Sequence, residues 1–355
     1  MDDRLESMYR RFTWRILSNY VTPFELERQQ RAITDYEQWC AAWLSLAAEH
    51  GSRGDEAAAA GRRVTAGGEY VRAGLCCHWA SFMFSHDPGA YRGALEQMGV
   101  YWAKAAPLVD PPMELVDVGF EGAALHGYVR MPPAAAGAHD GRRPMALLLP
   151  GADSTKEELY NLGEHLLARG VAVAAFDGPG QGAVSFELAL RPDYEVAVHA
   201  ILDRLCARRD VDPARIAVGG ISYGGLFAIR SAATDERVRA VFSMSSWYTP
   251  AGRFETMEPL SRVGQYQHLG KDPAAMMEAI TLSGVLGRLT VPLLQLFGGD
   301  DPASPPSHGE RIAAEAAGPV TTVVIPEGVH VLNNVWPQAR ALVGDWVAET
   351  LGVQP

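Results

Sequence analysis

Between residues 144 and 350 short apolar runs alternate with helix-forming stretches, and that alternation admits few folds. The runs are Pro144 to Leu149, Val171 to Phe176, Arg215 to Val218, Val238 to Met244, Val291 to Phe297 and Val320 to Ile325. They have strand length, and most lack the apolar–polar alternation of a half-solvated sheet. Between them lie Thr155 to Arg169, Tyr194 to Arg208, Leu226 to Ala233, Gly309 to Ala316 and Trp336 to Thr350, which read as helices. Buried strands separated by helices predict an α/β fold with a mostly parallel sheet covered on both faces. A hairpin, Glu114 to Phe120 and Ala124 to Met131 around Glu121-Gly122, precedes the sheet. The stretch from about 245 to 290 breaks the alternation and reads as loops and helices inserted over the sheet. Residues from about 4 to 110 read as helical, over Arg31 to Glu49, Ala57 to Gly61, Tyr70 to Phe84 and Tyr91 to Ala106. Aromatic stripes such as Tyr36, Trp39 and Trp43 belong to a core, with one face left for a ligand. Pro111-Pro112 marks the boundary, giving a helical domain over 1–110 and an α/β domain over 111–355.

One strand runs into Gly219-Gly220-Ile221-Ser222-Tyr223-Gly224-Gly225 and a helix leaves it. Gly220-x-Ser222-x-Gly224 at a strand-to-helix turn is the setting of a nucleophile elbow, which strains the serine backbone and lifts its hydroxyl out of the sheet. Glycine two residues before and after the serine lets strand and helix approach. The helix N-terminus adds partial positive charge beside the hydroxyl.

A serine hydroxyl needs a base and a group that orients the base. In this architecture the acid and then the histidine follow the serine. His330, in Glu327-Gly328-Val329-His330, lies just after the last strand; His308 and His268 lack that placement, and His199 falls in a helix before the serine. The acid belongs after Val291 to Phe297, where Gly298-Gly299-Asp300-Asp301-Pro302 stands. The G-x-x-D spacing and Pro302 favour Asp301, with Asp300 the alternative. Two N–H donors would stabilise an oxyanion: Tyr223, after the serine, and Ala152 in Pro150-Gly151-Ala152-Asp153, with Asp153 the alternative. Lys156 and Glu157 read as a solvated helix start, capped by Ser154 or Asp153. Asp177-Gly178-Pro179-Gly180-Gln181-Gly182 fits neither a phosphate loop nor a dinucleotide fingerprint and reads as a tight turn near the mouth of the site. No metal motif appears, and no cofactor is expected.

A formal net charge of −11 argues against nucleic acid or an anionic membrane as the main partner. The four cysteines, at 40, 76, 77 and 206, form no C-x-x-C pair and fit a reducing compartment. With no signal peptide and no long apolar run, the chain reads as a soluble cytoplasmic protein acting on a small molecule.

Four segments together, Pro150 to Glu158, Asp177 to Gly182, Gly220 to Gly225 and Gly328 to Asn334, resemble the α/β-hydrolases grouped with 2,6-dihydroxypseudooxynicotine hydrolase, the fungal heptaketide-shortening pigment hydrolases and the fermentation–respiration switch proteins. The resemblance covers roughly residues 60 to 350. It implies the α/β-hydrolase fold, a Ser-Asp-His enzyme, a helical N-terminal cap and a homodimer. It also implies cleavage of carbon–carbon bonds in ketone-bearing or polyketide substrates, or of esters in relatives. A cap-side acid goes with it, for which Glu255 or Glu258 stands here.

Overall fold

Arg143–Leu149, Ala172–Phe176 and Leu293–Gly298 are strands without a single exposed residue, so the sheet they form is covered on both faces. The computed structural model describes residues 2–133, 141–257, 262 and 272–353. The chain divides into two compact units, one built on residues up to 115 and the other on the later chain from 116.

The first unit is helical: α1 (Asp3–Leu17), α2 (Pro23–Ala32), α3 (Trp39–Ala59), α4 (Arg63–Ser81) and α5 (Pro88–Ala105). Trp39, Trp43, Trp79 and Trp102 are buried in its core, and Trp39 Nε1 donates to the Trp79 carbonyl at 2.7 Å. Several boundaries differ from the sequence reading; α4, for one, begins at Arg63 rather than Tyr70. The expected helix over 31–49 is interrupted, because Asp35 and Gln38 form a capping box that starts a new helical turn. That helix then runs on to Ala59 through Gly51 and Gly54. Each glycine admits a tyrosine ring: a Cβ would lie 2.5 Å from Tyr101 at Gly51 and 2.6 Å from Tyr70 at Gly54. Packing thus offsets the weak helix propensity of glycine.

The second unit holds β1 (Met113–Phe120, whose first residues belong to the helical unit), β2 (Ala123–Arg130), β3 (Arg143–Leu149), β4 (Ala172–Phe176), β5 (Val211–Ile221), β6 (Val238–Met244), β7 (Leu293–Gly298) and β8 (Val320–Ile325). They form one sheet in the order β1-β2-β4-β3-β5-β6-β7-β8. Glu121 and Gly122, both at positive φ, turn the hairpin between β1 and β2. β2 is antiparallel to β4; from β4 to β8 every pairing is parallel. The helices are α6 (Tyr160–Leu167), α7 (Glu195–Cys206), α8 (Tyr223–Thr234), α9 (Pro273–Ala279), α10 (Ser307–Glu315) and α11 (Trp336–Thr350). α6 packs with α11, and α7 with α8. In register, Leu149 pairs with Gly220, Ile221 with Met244, Met244 with Leu296, and Gly298 with Ile325. The carboxyl ends of β3, β5, β6, β7 and β8 therefore form one edge, where an open α/β sheet places its site.

Candidate active site

Ser222 stands between the end of β5 and the first residue of α8, with φ 56° and ψ −121°. Its N–H donates to the Met244 carbonyl at 2.8 Å and its own carbonyl accepts from Gly225 at 3.1 Å, so the sharp turn is tied on both sides. The turn tolerates only glycine at positions 220 and 224. A Cβ on Gly224 would sit 2.1 Å from the Leu149 carbonyl oxygen, and one on Gly220 would sit 2.5 Å from the same atom. Such strain persists only where its surroundings enforce it.

The loop after β8 brings His330 Nε2 to 3.1 Å from Ser222 Oγ. His330 Nδ1 lies 2.7 Å from Asp301 Oδ2. The structure thus joins Ser222, His330 and Asp301 in one hydrogen-bonded chain, while Asp300 is exposed, and its backbone N–H donates to the Gly328 carbonyl at 3.0 Å. Asp301 is fully buried and its other oxygen accepts from the N–H groups of Ala303 at 2.9 Å and Ser304 at 3.0 Å. Burial pushes this carboxyl up, but the His330 charge and the hydrogen bonds outweigh it and hold it below the ordinary value. Ser245 also bonds Asp301, and its hydroxyl accepts from the Val331 N–H at 2.9 Å, linking the acid to the histidine loop. Asn334 braces that loop from outside, accepting from Val329 at 2.9 Å and donating to Glu327 at 2.7 Å.

Trp247, which the sequence reading placed in the inserted segment without a role, stacks on the imidazole with ring centroids 5.7 Å apart and donates Nε1–H to the Ala303 carbonyl at 2.8 Å. It also meets Tyr223 edge-on at 4.7 Å. Tyr223 opens α8, where a backbone N–H has no helical acceptor. Ala152 is buried in the loop after β3, and the Gly151 Cα faces Ser222: a Cβ there would lie 3.4 Å from the serine Cβ. Glu255 is exposed on the 3-10 turn Phe254–Thr256 and bonds none of the three chained side chains. Glu258 and His268 lie outside the described residues. His308, on α10, accepts from the Tyr248 N–H, and His199 pairs with Thr234.

The expectation of a solvated helix start at Lys156 and Glu157 is overturned. Both are buried, and Lys156 Nζ lies 2.6 Å from Glu157 and 2.9 Å from Asp177. The N-cap of the 3-10 turn Lys156–Leu159 is Thr155, and the Ser154 hydroxyl donates to Glu158. The partner, Asp177, comes from the end of β4 and receives the Lys156 N–H at 2.7 Å as well. Burial raises the Asp177 carboxyl, against the pull of Lys156. Burial would lower the Lys156 amine, but the two carboxylates raise it instead. Among the described residues no group of three or more His, Cys, Asp or Glu side chains is placed to hold a metal ion, and no helix is long and apolar enough to cross a membrane.

Residues 100–352 match the family described as esterase FrsA-like. The chain belongs to the FrsA-like esterase family. It is 29% identical over 318 residues to the 2,6-dihydropseudooxynicotine hydrolase of Paenarthrobacter nicotinovorans, covering 88% of this chain and 84% of that one. It is 38% identical over 225 residues to the α/β hydrolase pydG of Acremonium sp, covering 61% of this chain; it spans about half, 52%, of that relative. The solved structure of a 2,6-dihydroxy-pseudo-oxynicotine hydrolase superposes with a TM-score of 0.85 at 27% identity, over 95% of both chains. The FrsA-like chain therefore has the α/β-hydrolase fold and is a hydrolase.

Proposed function

We propose that the protein is a serine hydrolase that cleaves a carbon–carbon bond of a ketone-bearing, aromatic or polyketide-like small molecule through an acyl-enzyme. The reading rests on the hydrogen-bonded chain Ser222–His330–Asp301 at the carboxyl edge of the sheet. Ser222 Oγ attacks the carbonyl carbon as His330 Nε2 takes its proton, and the charge that develops on oxygen meets the N–H groups of Tyr223 and Ala152. Collapse breaks the bond to the neighbouring carbon. In a 1,3-diketone that carbon leaves as an enolate, which takes the proton back from the His330 imidazolium. Water, deprotonated by His330, then releases the acid and restores the serine. Glu255 is the candidate cap-side acid. Support for carbon–carbon cleavage comes from the relative named for hydrolysis of 2,6-dihydropseudooxynicotine, which matches 88% of this chain. Residues 1–110 serve as the cap domain, and 111–355, with the inserted segment at about 245–290, as the catalytic domain. The protein works in the cytoplasm as a homodimer, without cofactor; four free thiols suit a reducing compartment.

Incubation with a panel of aryl 1,3-diketones and matched esters, with products resolved by mass spectrometry, tests the reaction. Acid and ketone in equal amounts are expected from a diketone. Turnover of esters with every diketone intact rejects carbon–carbon cleavage in favour of a carboxylesterase or acyltransferase, the reading that the family's description favours. Absence of fluorophosphonate labelling at Ser222 rejects both and favours a non-catalytic interaction protein on this fold.

A further inference from the structure

Gln181 is fully buried, and all four of its amide hydrogen-bonding positions are used. Its Nε2 donates to the Pro150 carbonyl at 2.7 Å and to the Gly151 carbonyl at 2.9 Å. Its Oε1 accepts from the Gly178 N–H at 3.0 Å and from the Tyr194 hydroxyl at 2.5 Å. Tyr194 is itself fixed, stacked on Phe227 of α8 with centroids 4.1 Å apart and planes 6° apart. The two carbonyls gripped by Gln181 belong to consecutive peptide planes. In a trans peptide the carbonyl and the next N–H point in opposite directions. Holding the Gly151 oxygen toward Gln181 therefore turns the Ala152 N–H the other way, away from Gln181. The Gly151 oxygen is held a second time by the Ser154 N–H at 3.3 Å. The far end of the same loop is anchored by Lys156, whose N–H and ammonium both bind Asp177.

We infer that Gln181 is a positioning residue that sets the direction of the Ala152 N–H, and so the strength of the oxyanion site, with Tyr194 fixing Gln181 in turn. The inference rests on the reading of Ser222 as nucleophile and Ala152 as donor. Gln181 touches no reacting atom; it acts through the peptide planes of residues 150 to 152. A rigid donor needs no reorganisation when charge develops, which is where such a site gains its effect.

Native protein, Gln181→Met, Tyr194→Phe and Ser222→Ala are compared on p-nitrophenyl butyrate, by rate of fluorophosphonate labelling, and by affinity for an aryl trifluoromethyl ketone, which becomes an oxyanion on addition of the serine. Gln181→Met is expected to lower kcat about 10²-fold with KM changed less than about threefold, and to weaken the trifluoromethyl ketone by the same factor as kcat/KM. Tyr194→Phe keeps the ring stack, loses one hydrogen bond, and is expected to lower kcat by about 2- to 10-fold. Gln181→Met with native kcat and native labelling rate overturns the inference. So does a loss of kcat that leaves trifluoromethyl ketone affinity unchanged. Should Gln181→Met fail to fold, an unchanged kcat and ketone affinity in Tyr194→Phe overturns it. Ser222→Ala that retains labelling overturns the underlying nucleophile assignment instead, whatever Gln181 does.

Discussion

Replacing Asp301 by asparagine changes one atom, and the surroundings dictate which way the amide faces. One carboxylate oxygen of Asp301 accepts two backbone N–H groups, from Ala303 at 2.9 Å and Ser304 at 3.0 Å. An NH₂ group there would put donor against donor, so the asparagine carbonyl keeps that side. The NH₂ then faces His330 Nδ1 across the 2.7 Å contact. Nδ1 must become the acceptor, and the imidazole proton moves to Nε2, which faces Ser222 Oγ at 3.1 Å. A protonated Nε2 has no lone pair with which to take the serine proton. A wrong tautomer at unchanged geometry costs a serine triad about 10⁴ in kcat, which is about 5.4 kcal/mol of barrier. The assay is kcat on p-nitrophenyl butyrate for Asp301→Asn beside Asp300→Asn, with circular dichroism to show that both are folded. Asp300 is exposed, and its variant is expected to stay within about threefold of native, as for a surface site. An Asp301→Asn protein within tenfold of native, or an Asp300→Asn protein as damaged as Asp301→Asn, would refute the reasoning.

Three further outcomes are expected. Gly224→Ala forces a Cβ to 2.1 Å from the Leu149 carbonyl, so strand and helix must separate; a loss of about 3 kcal/mol or more in urea unfolding is expected. Lys156→Met leaves Asp177 and Glu157 buried without their cation and should destabilise by about 3–5 kcal/mol; a variant as stable as native shows that the ion cluster has no net worth. In the helical unit, burial would raise the Glu25 carboxyl, but bonds from His50 and Thr22 bring it down to about 2 from its ordinary 4.5. A depressed carboxyl stabilises above its unfolded pKa and loses that contribution as pH falls through the folded one. The urea midpoint should therefore fall less steeply from about pH 5 to pH 2 in Glu25→Gln than in the native protein.

The inner strands were legible because burial on both faces leaves uninterrupted apolar runs, as in Ala172–Phe176 and Leu293–Gly298; strands Val238–Met244 and Val320–Ile325 and helix Trp336–Thr350 also fall where the sequence places them. The extension of α3 through Gly51 and Gly54 was not, since a glycine pair in sequence looks like a break until the tyrosine rings that fill its grooves are known. The elbow was readable from a local pattern. Spacing and Pro302 favoured Asp301 but left Asp300 as an alternative. What divides them is an Asx turn, with the N–H groups two and three residues on closing over Asp301, and an exposed Asp300. Lys156 looked solvated because its partner, Asp177, arrives from the next strand, 21 residues away. Trp247 gave no signal at all, since its position over His330 depends on where β6 ends.

The turn from Asp301 to Ser304 grips the imidazole along its edge through the carboxylate and across its face through the indole held on Ala303. A ring contacted along its edge and across its face is held in one orientation. In the proposed reaction the same nitrogen then serves the incoming alcohol or water that it served for the serine. Loosening the clamp, as in Trp247→Leu, should slow both halves alike and leave unchanged the ratio in which an acyl group passes to water or to an added alcohol.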